Sequence, residues 1–203
     1  MIIFHTGTSP YARIARVCAH ECGVTHAGGH LGPGLLRTED NPILQYSPVG
    51  RIPTLVDGDV VVTETRAVCR YLERVGDGYE LFAYAGDWTA ERLENTAMSF
   101  LDGCMLWARE KRRDAALQSD WLVGVERARA TRTLAWFEAQ PALQAGDTPW
   151  DFAHITLAVA LGELQPRDLI PDWRNTHPAL AAWEAAQATR PAMQAEGRKG
   201  DPT

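Results

Sequence analysis

The chain has 203 residues, 45% of them hydrophobic, with a formal net charge of −6 and a pI near 5.5. That length allows one large domain or two small ones with a proper core, and the acidic balance argues against a nucleic-acid surface. No apolar run reaches the ~18 residues of a membrane span, no signal peptide is visible at Met1-Ile2-Ile3-Phe4, and the four cysteines are too sparse for a disulfide framework.

Ile2, Ile3 and Phe4 predict a short first strand. After the polar loop from His5 to Thr8, Ser9-Pro10 opens a helix: Ser9 is a natural N-cap, and Pro10 suits the first helical position, where no N–H is required. Ile14, Val17 and Cys18 form its inward stripe, and Gly23 closes it. Cys18 and Cys22 lie one helical turn apart, but no His/Cys pair elsewhere completes a metal site, so buried thiols in a reducing cytoplasm are the expectation. Residues 24–30 predict a weak second strand. The glycines at 28, 29, 32 and 34 are too irregular for a phosphate-binding fingerprint, and residues 35–46 suggest one short helix.

Residues 47–72 compress strand, turn, strand and helix into one unit. Thr54-Leu55-Val56 and Val60-Val61-Val62 are β-branched runs, with Asp57-Gly58 between them as a tight-turn pair. Thr63-Glu64-Thr65 suits a helix N-terminus, and Val68, Cys69, Leu72 and Val75 then recur at helical spacing. Pro53 cannot donate to a ladder, so it is either an edge-strand start or a cis proline. Strand-helix-strand implies parallel strands joined by a crossover, and the hairpin adds an antiparallel edge. This is the order of a thioredoxin-like domain.

Residues 76–86 break the pattern, and beyond them no strand is expected. Leu93, Ala97, Phe100, Leu101, Cys104 and Ala108 predict a long amphipathic helix, and a second runs from Trp121 to Phe137. The basic cluster of Arg109, Lys111, Arg112 and Arg113 reads as a solvated face, since Glu110 and Asp114 flank it. Thr148-Pro149-Trp150-Asp151 predicts a helix start, with Thr148 capping, Pro149 in first position and the Asp151 carboxylate reaching back. The helix after it is apolar all round and hence central. Pro178 starts a last helix that closes near Pro191, and the Gly200-Asp201-Pro202-Thr203 tail is expected to be disordered. The expected organisation is a thioredoxin-like α/β domain over residues 1–76, a linker over 77–86 and an all-α helical domain over 87–203.

Five stretches, in order, resemble the cytosolic glutathione S-transferases, bacterial and plant serine-type members in particular. Ser9-Pro10-Tyr11-Ala12-Arg13 resembles the active-site turn of helix 1, and Gly50-Arg51-Ile52-Pro53-Thr54-Leu55 the cis-proline loop. Glu64-Thr65 resembles the acidic-serine pair that opens the next helix. Thr148 to Asp151 resembles the capping box of the central helix, and His177-Pro178 through Trp183 to Arg190-Pro191 the C-terminal helix. Three departures stand out: Thr65 replaces the usual serine, Ser47-Pro48 the usual Asn-Pro, and Trp150-Asp151-Phe152 the usual Ala-Asp-Ile.

The resemblance implies an enzyme that conjugates the thiolate of glutathione, its co-substrate, to a small hydrophobic electrophile. It also implies a cytoplasmic homodimer working in detoxification, without metal, membrane or nucleic acid. Its γ-glutamyl carboxylate suits the helix start at Thr65 and its ammonium suits Glu64, although ordinary helix-start chemistry explains that pair too. Ile52, beside Pro53, would pair with the cysteinyl backbone. Arg51 would take the glycyl carboxylate or simply face solvent. Ser9 would hold the sulfur, or serve as a cap alone. Thiol pKa is ~8.5, and lowering it by about two units needs ~2.7 kcal/mol of preference for the anion. One charged hydrogen bond plus a helix N-terminus is of that order. Thr6 and Thr8 are alternative hydroxyls, and Trp88, Met98 and Met105 are expected to line the electrophile pocket. A glutathione-binding module without turnover, or a glutathione-dependent isomerase or lyase, would share these residues.

Overall fold

The computed structural model describes residues 1–143 and 149–198, which form two compact units: Met1–Ala83 together with the segment from Arg190 onward, and Tyr84–Thr189. In the first unit the elements run β1 (Ile2–His5), α1 (Pro10–Glu21), β2 (Ala27–His30), β3 (Thr54–Asp57), β4 (Val60–Thr63) and α2 (Thr65–Val75). The sheet order is β2-β1-β3-β4, with β1 and β2 parallel and the other neighbours antiparallel. This is the expected thioredoxin-like arrangement. Its core joins Ile3 and Leu55 of the sheet to Ile14, Val17 and Cys18 of α1 and Val68, Cys69 and Leu72 of α2, all inaccessible to solvent. α1 and α2 pack together, and α8 (Pro191–Ala195) packs on α1.

Two local expectations change. Residues 35–46 form not one helix but two 3-10 turns, Leu35–Arg37 and Pro42–Gln45, because Asn41-Pro42 interrupts the chain and starts the second turn afresh. In the hairpin Asp57 pairs with Val60. The turn pair is therefore Gly58-Asp59, one residue later than Asp57-Gly58. Gly58 takes the positive φ, 58°, that a turn centre demands.

The second unit is helical: α3 (Trp88–Glu110), α4 (Asp120–Glu138), α5 (Phe152–Gly162), α6 (Trp173–Thr176) and α7 (Pro178–Ala188). α5 is the central helix that its composition predicts, for every residue from Phe152 to Leu161 is buried. The expected last helix is α7, and it ends before Pro191 starts the separate α8. α7 has no side-chain cap of its own. The Glu138 carboxylate at the end of α4 takes its free Ala179 and Leu180 N–H groups instead, at 3.0 and 2.7 Å. Among the described residues no helix is long and apolar enough to cross a membrane.

The start of α5 differs from expectation. Asp151 is itself the N-cap, so Pro149 lies before the helix. The Asp151 carboxylate accepts the His154 backbone N–H at 3.0 Å and meets His154 Nδ1 at 2.7 Å. Thr148, the expected cap, and the 200–203 tail lie outside the described residues. Replacing Asp151 with alanine is expected to cost ~1–2 kcal/mol, the worth of a lost N-cap, while Asp151→Asn keeps most of it. Urea unfolding of the three proteins measures this.

Candidate active site

α1 begins on the serine the sequence points to. Ser9 has extended backbone (φ −79°, ψ 116°), and its Oγ accepts the Ala12 N–H at 3.3 Å. Accepting with a lone pair leaves the hydroxyl proton free to donate. Capping and holding an external anion are therefore compatible uses of one side chain.

The loop before β3 is braced by Asn41, which is buried. Its amide donates to Gly50 O at 2.9 Å and to Leu36 O at 3.3 Å, and its Oδ1 accepts the Ile43 N–H. Gly50 sits at φ 62°, and a Cβ there would stand 2.8 Å from the Asn41 amide nitrogen. Glycine is thus required both by conformation and by space. Arg51 follows, exposed, and its carbonyl accepts the Thr54 hydroxyl at 2.7 Å. The Ile52–Pro53 peptide is cis, and among the described residues no hydrogen bond occupies the Ile52 backbone. Pro53 stands immediately before β3.

Glu64 is the N-cap of α2, held at the uncommon φ of 77°, with its Oε2 on the Arg66 N–H at 3.2 Å. Thr65, the first helical residue, is buried. Non-glycine residues in that region carry strain, and such strain concentrates at functional sites.

Sheet register brings these pieces together. Phe4 pairs with Thr54, and Thr54 pairs with Thr63. The residues just beyond that row are His5 at the end of β1, Pro53 before β3 and Glu64 after β4. At ~4.8 Å per strand step, the three loops leave the same end of the sheet within about 10 Å. The loops that carry Ser9, Arg51-Ile52-Pro53 and Glu64-Thr65 therefore leave one end of the sheet.

Other groups are excluded as nucleophiles by their surroundings. Burial pushes the Cys22 and Cys104 thiols up to about 12, and Cys18 is also raised, by burial first and then by its hydrogen bond with Cys69. Among the described residues no cluster of three or more His, Cys, Asp or Glu could hold a metal ion. Trp88 is exposed on a groove of about 580 Å³ between α3 and α4, whereas Met105 is buried.

A thioredoxin-like unit followed by an all-helical chain defines the glutathione-transferase class of fold, and the comparisons agree. The family model described as Glutathione S-transferase, N-terminal domain, matches residues 8–75. No curated protein matches. A glutathione transferase family member from Pseudomonas fluorescens Pf-5, solved with bound glutathione, is 30% identical, with full coverage of this chain, 99% coverage of that one and a TM-score of 0.83. A glutathione S-transferase from Methylobacillus flagellatus KT, also with glutathione bound, superposes at TM-score 0.86 over 98% of this chain and 99% of that one, at 23% identity. The chain belongs to the glutathione transferase family.

Sequence reasoning missed Asn41, although an Asn-Pro pair before a short turn is a recognisable turn signal. It read His5 as the start of a polar loop, with no sign of its burial. His5, at the end of β1, stacks on His30 at 4.9 Å, and its buried Nδ1 has no partner. Its pKa is pushed down to about 4, by burial first and then by the Arg16 guanidinium, with His30 and His26 adding. Because the folded value lies below the unfolded 6.5, the unfolded chain binds the extra proton. The contribution of His5 to stability is accordingly expected to be steady above pH 6.5, to fall as pH drops from 6.5 to 4, and to level off below. The fall is on the order of 3 kcal/mol. Urea midpoints across that range check this, and His5→Gln is expected to flatten the slope by about one proton.

Proposed function

We propose that the protein is a glutathione transferase that binds glutathione on the first unit and attaches its sulfur to a small hydrophobic electrophile. The observation that carries this reading is the convergence of the three loops that carry the matched groups, through strand register, at one end of the sheet. Bound glutathione supplies the nucleophilic sulfur. Ser9 donates its hydroxyl to that sulfur in its anionic form, and the N-terminus of α1 adds a favourable field. The thiol proton passes to solvent, the new S–C bond forms, and any displaced group leaves with its electron pair. The unoccupied Ile52 backbone takes the cysteinyl peptide as an added strand. The Glu64 carboxylate holds the ammonium, while Thr65 and the α2 N-terminus hold the γ-glutamyl carboxylate. Arg51, exposed on its braced loop, takes the glycyl carboxylate.

The same reading makes the protein a cytoplasmic homodimer that detoxifies electrophiles. Four free, buried thiols suit a reducing compartment. The edge strand β4 leaves Val60 and Val61 exposed, the kind of apolar edge that a second copy covers.

Isothermal titration with glutathione is the test, and no binding at millimolar ligand overturns the reading. Ser9→Ala is expected to bind glutathione but to raise the bound thiol pKa by about one to two units and to slow conjugation of a generic aromatic electrophile by about 10- to 100-fold, the worth of one charged hydrogen bond. A wild-type protein that binds glutathione yet conjugates nothing is instead a binding module.

A further inference from the structure

We propose that Arg13 and Arg16 of α1, with Glu196 beyond α8, form a clasp that sets the first turn of α1 and so aims Ser9. They are positioning residues. This rests on the assignment of Ser9 to the glutathione sulfur.

The contacts run in one chain. The Arg13 backbone N–H closes the first turn of α1 on Ser9 O at 3.0 Å. Its guanidinium reaches across 183 residues, Nε to Glu196 O at 2.9 Å, while Nη2 takes Met193 O at 3.2 Å. Those are terminal carbonyls of α8, which no further helical turn would satisfy. One turn along α1, Arg16 Nε meets the Glu196 carboxylate at 2.8 Å. The Arg16 side chain is only 3% exposed and its partner 18%. Removing one member of such a pair leaves the other charge buried and uncompensated, which is far costlier than losing a surface pair.

Two further features say that the clasp positions α1 rather than merely ends the chain. α8 has five residues, too few to hold itself as an isolated helix, so its place depends on tertiary contacts: the burial of Ala192 and Met193 and the bonds from the arginines. The polar layer behind it is also incompletely satisfied: Arg16 Nη1 and His5 Nδ1 are both buried without partners. A guanidinium kept in such surroundings has no alternative geometry that solvent could supply. Any shift of Glu196 is therefore passed to Arg13 and Arg16, and through the Arg13 N–H to Ser9.

Amide hydrogen exchange on Glu196→Ala and Arg13→Ala reads the first turn directly, without any ligand. The Ala12 and Arg13 amides, which bond Ser9 Oγ and O, are expected to exchange about tenfold faster, while α2 amides stay within about twofold of wild type. Unchanged Ala12 and Arg13 amides, or an equal rise throughout α1 and α2, overturns the proposal. In glutathione complexes both variants are expected to raise the bound thiol pKa by about half a unit, leaving about threefold less thiolate at neutral pH. Arg13→Lys, which can still donate to a carbonyl, recovers most of it. A thiol pKa unmoved while melting temperature falls means a structural latch only, and sinks the positioning role. Should the wild type bind no glutathione, the transferase reading fails, and the clasp is judged on exchange alone. Should Arg13→Ala not fold, Glu196→Ala carries the test.

Discussion

The cross-strand row Phe4–Thr54–Thr63 is the constraint on which the site depends. A slip of one residue along any of these strands would turn every side chain to the opposite face. It would also carry one of the three loops away from the common edge. Burial of Ile3 and Leu55 on the core side fixes the row, so the hydrophobic pattern of the sheet determines where the polar loops end. Tyr71 of α2 adds a lateral tie, donating to the Asp57 carboxylate at 2.9 Å. The helix that carries Thr65 is thereby held to the hairpin it follows.

Both units satisfy helix starts with local side chains, and one start in the second is satisfied from a distance. In the first, side chains at the helix starts do so: Ser9 at α1 and Glu64 at α2. In the second, Asp87 at α3, Ser119 at α4 and Asp151 at α5 do the same, while α7 takes a remote carboxylate, Glu138. A locally capped helix N-terminus still offers further N–H groups beside the cap. A remote cap covers that same surface and leaves no such opening.

Much of the fold was legible because its signals are local. Ser9-Pro10, the β-branched runs around Gly58 and the all-apolar stretch after Asp151 each state their element within a few residues. The errors fall where local signals compete. Asp57-Gly58 and Gly58-Asp59 are equally good turn pairs by composition, and only the pairing of Asp57 with Val60 decides between them. Asp151 was read as reaching back from inside a helix, but it is the residue on which the helix starts. In the site, residues that carry matched motifs were readable, whereas Asn41 and Glu196 act over 9 and 180 residues. No period or spacing in the chain announces such partners.

The return of α8 to α1 makes the first unit discontinuous in sequence. During synthesis its strands and α1 emerge before the helical unit, and the residues that complete the packing of α1 emerge after it. Contacts spanning 180 residues must wait for loop closure across the intervening chain. Until then Arg16 lacks the Glu196 carboxylate it meets in the folded unit. The final packing of the α/β unit is therefore coupled to completion of the helical unit that precedes α8.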